Sequence, residues 1–170
     1  KIYGLDASYN KILKGLYCNF NKIPSLNVSG LTLLEELGCR KNQLSSLNVS
    51  GCTALKELYC NNNQLSSLNA NKLTALTILF CYENKLSSLN VKGCKALKAL
   101  DCYTNQLSSL DATRFTVLET LFCFDNKFST QALDKLYCSL PDRKGNGIGR
   151  IQPVLNASSP DNSIVLATNG

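Results

Sequence analysis

A period of 21 residues governs this chain. LNVSGCTALKELYCNNNQLSS, from Leu47 to Ser67, returns as LNVSGLTLLEELGCRKNQLSS from Leu26 and as LNANKLTALTILFCYENKLSS from Leu68. LNVKGCKALKALDCYTNQLSS from Leu89 and LDATRFTVLETLFCFDNKFST from Leu110 follow, and a degenerate copy, LDASYNKILKGLYCNFNKIPS, opens at Leu5. The copies (5–25, 26–46, 47–67, 68–88, 89–109 and 110–130) run without insertion or deletion. Repetition at a fixed period of this length predicts a solenoid, in which each coil buries its apolar positions against its neighbours and no central core is needed.

Within each copy the central pattern is LxxLxCxxNxL, written in the third as Leu55, Leu58, Cys60, Asn63 and Leu65. Leu58 and Cys60 alternate with Glu57, Tyr59 and Asn61, the period of a strand with one buried face. On these residues the chain resembles the leucine-rich repeat family. Its 21-residue unit, with cysteine at the Cys60 position, is similar to the cysteine-ladder repeats of internalin-type and related bacterial surface proteins. The resemblance covers residues 5–130. It implies a curved right-handed solenoid with a parallel sheet on the concave face, a protein-binding role, and a secreted or surface-attached location in a bacterium. For the convex arcs, which are too short for an average helix, short strand or 3₁₀ segments are expected.

Two columns repeat without exception. Asn21, Asn42, Asn63, Asn84, Asn105 and Asn126 stand 21 apart; an amide both donates and accepts, so it can bond the backbone that turns at the strand end, whereas aspartates there would stack like charges. Cys18, Cys39, Cys60, Cys81, Cys102 and Cys123 form the other. Stacked strands put neighbouring Cα atoms within disulfide range, but their Cβ vectors run parallel, and a single row cannot surround zinc tetrahedrally. The thiols are therefore read as small buried hydrophobes. Cys52 and Cys94 share a further inward column with Leu31, Leu73 and Phe115, where any hydrophobe serves. No cofactor and no metal is expected. Gly30, Gly51 and Gly93 ease a turn, but Lys72 and Arg114 replace them in other copies, so a left-handed backbone is not obligatory there.

The period stops after Thr130. Ala132, Leu133, Leu136, Tyr137 and Leu140 fall at helical spacing, with Thr130 as the expected N-cap and Pro141 as the stop. Residues 143–149 read as a turn whose GNGIG lacks the strand–helix context of a phosphate loop. Residues 150–156 read as a strand that Pro153 confines to an edge, residues 156–162 as a loop, and residues 163–168 as the start of a helix capped by Asp161. Together 131–170 are expected to cap the last coil. The chain opens inside a repeat, with no N-terminal cap and no signal peptide in sight, and is read as a fragment or a processed mature chain.

Function is sought where the repeat varies yet faces solvent. Tyr17, Gly38, Tyr59, Phe80, Asp101 and Phe122 occupy one outward column; Asn19, Arg40, Asn61, Tyr82, Tyr103 and Phe124 occupy the next; Phe20, Lys41, Asn62, Glu83, Thr104 and Asp125 flank them. Seven tyrosines and six phenylalanines make up the chain's aromatics, and most of them fall in these columns. Some aromatic residues merely suit a strand, which accounts for one column but not for several adjacent ones. An aromatic patch of this kind marks an interaction site, with Tyr17, Tyr59, Phe80, Tyr82, Asp101, Tyr103, Phe122 and Phe124 as the partner-binding residues. The expected partner is a protein on a host or neighbouring cell. The alternatives are a glycan stacked on Tyr82, Tyr103 and Phe124 beside Asp101 and Glu83, or a spacer role with no ligand.

The net charge of +6 invites nucleic acid, but its location argues against it. The outward columns carry Glu36, Glu57, Glu83, Asp101 and Asp125 against Arg40 and Lys41, while Lys72, Lys92, Lys95, Arg114 and others lie on the convex arc and edges. A phosphate-tracking surface would line its groove with those bases; here they serve solubility. No apolar run spans a bilayer, so membrane insertion is not expected. The chain has no histidine, and its carboxylates sit in an open sheet, so no enzyme is read here. Asn27-Val-Ser29, Asn48-Val-Ser50 and Asn156-Ala-Ser158 match a glycosylation pattern, but repeat composition explains the first two.

Overall fold

The computed structural model describes residues 3–140 and the backbone of residues 150–152. Strands in chain order are β1 (Leu5–Asp6), β2 (Gly15–Tyr17), β3 (Leu26–Asn27), β4 (Glu36–Gly38), β5 (Glu57–Tyr59), β6 (Ser67–Asn69), β7 (Ile78–Phe80), β8 (Ser88–Asn90), β9 (Ala99–Asp101), β10 (Thr120–Phe122) and β11 (Arg150–Gln152), with one helix, α1 (Thr130–Ser139), between the last two. The chain is a leucine-rich repeat solenoid. Its main sheet is parallel throughout, in the order β2-β4-β5-β7-β9-β10-β11.

Register follows the repeat. Leu16, Leu37, Leu58, Leu79, Leu100 and Leu121 are successive partners across the sheet. From Leu37 onward these leucines are fully buried, as is Leu55 with its equivalents Leu34, Leu76 and Leu97. A buried leucine cut to alanine costs about 2–5 kcal/mol, so each coil depends on contacts that only the next coil provides. On the other side of the coil β1 pairs with β3, β6 with β8, and Asn27 bridges Asn48. Between these strands lie turns, and among the described residues no 3₁₀ helix forms. The turn bonds Leu31 N–H to Val28 O and Leu34 N–H to Leu31 O stand three residues apart, each closing a single turn that does not propagate.

The asparagine column stitches coil to coil. Nδ2 of Asn42, Asn63, Asn84, Asn105 and Asn126 donates to the cysteine carbonyl three residues back and to the equivalent carbonyl of the preceding coil, all at 3.0–3.1 Å. Each Oδ1 accepts, at 2.9–3.0 Å, the N–H of Ile23, Leu44, Leu65, Leu86 or Leu107, again in the preceding coil. Asn21 donates to the carbonyls of Cys18 and Asn19.

Beside it, Cys18, Cys39, Cys60, Cys81, Cys102 and Cys123 are buried free thiols. Burial pushes the Cys60 thiol up to about 12 and Cys123 to about 11, and holds Cys39, Cys81 and Cys102 well above the ordinary thiol range. These groups are protonated and unreactive at neutral pH. Cys52 and Cys94 are buried too, and each Sγ–H donates to a carbonyl of the preceding coil, Val28 at 3.1 Å and Ala70 at 3.2 Å.

The turn glycines split into two kinds. Gly51 is left-handed (φ +81°), like Gly30, and lies against the Gly30 backbone; Gly93 is not left-handed, but a Cβ there would fall 1.5 Å from the Asn71 carbonyl oxygen. The residue preceding each ladder asparagine brings a surprise. Phe20, Lys41, Asn62, Glu83, Thr104 and Asp125 all have φ between 50° and 59°, a region that L-residues other than Asn and Asp rarely adopt.

Ser129, rather than Thr130, caps α1: its hydroxyl accepts from Ala132 N–H at 3.2 Å. Two hydroxyls stand side by side at this point, and the helix simply begins one residue earlier than its apolar spacing implies. Leu136 enters the core, with Ala132, Leu133 and Leu140 packed against it. β11 lies at one end of the main sheet beside β10, the edge position that Pro153 requires. Pro141, the expected turn at 143–149, the strand beyond Gln152, the loop at 156–162 and the helix start at 163–168 lie outside the described residues.

Candidate functional site

The outward columns lie on the main sheet because alternate strand residues point away from the leucine interior. Parallel register then brings equivalent side chains of successive coils together, about 4.8 Å apart. Tyr82, Tyr103 and Phe124 form a continuous stack: their ring centroids are 4.5 Å apart at each step, with planes within 8° of parallel. Phe80 leans on Tyr82 at 6.4 Å, and Tyr59 meets Phe80 edge-on at 5.4 Å. These five rings form one connected run across β5, β7, β9 and β10, each ring partly buried by its neighbours. Phe122 is likewise partly buried and stands in register with Asp101.

Stacking has a chemical consequence. The faces of Tyr103 are occupied by Tyr82 and Phe124, so this trio presents mainly ring edges and hydroxyls to an incoming partner. Tyr17 and Phe20, at the other end of the sheet, are the most exposed aromatics of the columns, at 60% and 57%, and carry no ring neighbours of the same kind among the described residues; Arg40 and Lys41 instead place their cations 5.1 and 5.2 Å from the Phe20 ring centre.

Two residues assigned to the outward columns are covered. Asn61 is only 2% exposed; its short side chain lies below the level of Arg40 and Tyr82 in the same column and donates to Asn62 Oδ1 at 2.7 Å. Gly38 is buried beneath Tyr17, whose Cδ1 would stand 2.8 Å from a Cβ there. The face is thus aromatic on its central and C-terminal coils, shallow at Gly38 and basic at Arg40 and Lys41.

Carboxylates rim and interrupt the rings. Tyr59 Oη–H donates to Glu57 at 2.7 Å, and burial together with this bond pushes the Tyr59 phenol up to about 12. Asn62 donates to Glu83. Burial likewise pushes Tyr103 up to about 12, with Tyr82, Glu83 and Asp101 adding to it. Asp101 sits between Phe80 and Phe122 in its column. Its Oδ1 is buried with no hydrogen-bond partner among the described residues, and burial pushes its carboxyl up to about 6. Among the described residues, no group of three or more His, Cys, Asp or Glu could hold a metal ion. No described helix is long and apolar enough to cross a membrane.

Solved structures resemble the chain over most of its length. The functional domain of InlJ from Listeria monocytogenes, which includes a cysteine ladder, aligns with a TM-score of 0.70 and 35% identity over 74% of this chain and 28% of that one. A leucine-rich repeat protein of Leptospira interrogans aligns with a TM-score of 0.74 and 25% identity over 84% of this chain and 37% of that one. An internalin, InlF, from Listeria monocytogenes gives 0.68 and 28% over 73% and 38%. The chain spans about a third of the length of these structures. No protein-family model and no curated protein matches it.

Proposed function

We propose that this chain, which belongs to the internalin-like leucine-rich repeat proteins with a cysteine ladder, is a non-catalytic protein-binding module that recognises its partner through the aromatic run of the concave sheet. The observation that carries the reading is the connected set Tyr59, Phe80, Tyr82, Tyr103 and Phe124 on a sheet face with nothing packed over it among the described residues. Rigid aromatics at the centre of a face, with carboxylates at the margin, are the composition of interface hot spots. The stacked geometry favours a protein over a glycan, because sugar recognition needs open ring faces and here the Tyr103 faces are spent on Tyr82 and Phe124.

The asparagine and cysteine columns take no part in recognition; they hold the coils in register. The helix α1 and strand β11 close the last coil, so the repeats and the tail act as one unit. The location that fits this family is the bacterial surface or the extracellular medium, where thiols sealed in the coil interior survive without pairing.

The experiment is a pull-down from host and neighbouring-cell surface extracts, run beside a glycan array, with the wild type and a Tyr82→Ala/Tyr103→Ala/Phe124→Ala variant whose fold is verified by circular dichroism. A protein captured by the wild type and lost by the variant supports the reading. Glycan signals lost in the variant transfer the face to sugar binding. Identical behaviour of both proteins removes the aromatic face as the site and leaves a spacer role.

A further inference from the structure

Asp101 is a carboxylate placed inside the aromatic run rather than at its margin. Its neighbours in register are Phe80 and Phe122, and Tyr103, two residues on, carries the middle ring of the stacked trio. One of its oxygens is buried and receives no hydrogen bond from the described residues, while the residue as a whole stays partly exposed. Glu57 and Glu83 differ, since Tyr59 and Asn62 donate to them. A column position that accepts Tyr, Phe or Gly in the other coils does not need a carboxylate for packing, and a half-desolvated charge without a donor is costly to the free protein.

The wider field has the same sign. Over the third to sixth coils the outward columns hold Glu57, Glu83, Asp101 and Asp125 and no lysine or arginine. The bases of the face, Arg40 and Lys41, are drawn to the Phe20 ring in the first coil. The aromatic part of the face is therefore uniformly acidic although the chain is basic overall. An acidic segment would meet repulsion there, and a neutral apolar one would bury Asp101 without compensation.

We propose that the face takes a basic segment of a partner protein and that an arginine of that segment docks on Asp101 between the rings flanking it. This rests on the protein-binding reading above and names the chemistry of the partner. Arginine suits the site better than lysine: its planar guanidinium lies against aromatic rings, pairs with a carboxylate through fixed N–H donors and is more weakly hydrated. Docking brings guanidinium donors to the carboxylate from its exposed side and neutralises the charge the rings have partly stripped of water.

The test is a random peptide library panned against the wild-type chain, followed by affinity measurements on the enriched peptides. Enriched peptides are expected to share an arginine. They lose at least ~10-fold in affinity when that arginine is replaced by citrulline, its neutral near-isostere, and by the same factor against Asp101→Asn. Against Asp101→Asn the citrulline peptide loses nothing further, because the two changes remove one interaction. Peptides without a basic residue that bind Asp101→Asn as well as wild type, yet lose binding to the Tyr82→Ala/Tyr103→Ala/Phe124→Ala variant, overturn this inference and leave the protein-binding reading standing. Peptides indifferent to both variants overturn both, and failure to enrich any peptide overturns the arginine site.

Discussion

Replacing Asn63 by aspartate changes one NH₂ group into an oxygen at constant size, and the structure says what that costs. Asn63 is 9% exposed. Its Nδ2 donates to the carbonyls of Cys39 and Cys60 at 3.0 Å each, while Oδ1 accepts from Leu44 N–H at 3.0 Å. The aspartate keeps the last bond and loses the first two. Two hydrogen bonds at about 1 kcal/mol each, plus a negative oxygen facing two buried carbonyls that keep only the amides of Asn42 and Asn84 as donors, put the loss at about 3 kcal/mol at pH 7. The penalty falls on the charged form, so the new carboxyl titrates above the ordinary aspartate range in the folded state. Its deficit is then largest above that raised value and shrinks as the pH falls and the protonated acid can donate to one carbonyl. Urea denaturation followed by circular dichroism at pH 7 and pH 4.5 measures both effects. A loss under ~1 kcal/mol at pH 7, or an equal loss at the two pH values, would refute the claim that this amide holds adjacent coils together.

Asp101→Asn is expected to stabilise the chain by about 1–2 kcal/mol at pH 7, because burial raises the native carboxyl from 3.8 to about 6 and each unit is worth about 1.4 kcal/mol before discounting for its remaining exposure. Since the folded value is the higher one, the wild type recovers that deficit as the pH falls from above 6 towards 3.8; the neighbouring Cys81, Cys102 and Tyr103 stay neutral throughout this range, and the advantage of the variant should vanish in melts near pH 4. Thr104→Asn should raise stability by about 0.5–1 kcal/mol in the same denaturation assay, since φ is 50° there and asparagine tolerates that region better than a β-branched residue. With an aromatic disulfide reagent, Cys138, the exposed thiol of α1, should react within seconds in the native protein. The other eight cysteines, all buried, should wait for unfolding; fast labelling of Cys60 or Cys81 would contradict a sealed ladder.

The fold was legible because its determinants are periodic. A leucine every 21 residues specifies the register of the sheet directly, and no long-range pairing had to be guessed. What escaped was set by backbone geometry or by neighbours in space. Nothing in the series Phe20, Lys41, Asn62, Glu83, Thr104, Asp125 announces a left-handed residue, since only Asn62 and Asp125 favour it intrinsically; the turn into the asparagine bonds imposes it on the rest. Asn61 looked exposed by alternation, but alternation gives direction and not depth, and longer residues flank it. The aromatic columns were visible as a list, while the stacking that closes the faces of Tyr103 depends on side-chain rotamers that no spacing encodes. Asp101 was visible as one acid among several; its lack of a donor needed coordinates. Around α1, the apolar spacing placed the buried face on Ala132, Leu133 and Leu136 but named Thr130 as the cap, a place that Ser129 takes one residue earlier, because spacing fixes a face and not the first turn.

The most direct measurement is the affinity of a captured protein partner for three forms of the chain: wild type, Tyr82→Ala/Tyr103→Ala/Phe124→Ala, and the convex-face control Lys72→Ala/Lys95→Ala. Central aromatics of an interface cost upwards of about 2 kcal/mol each when truncated, so the aromatic variant should bind at least ~100-fold more weakly while the control binds as wild type. Equal binding by the aromatic variant, or loss confined to the lysine control, would contradict recognition through the concave aromatic face.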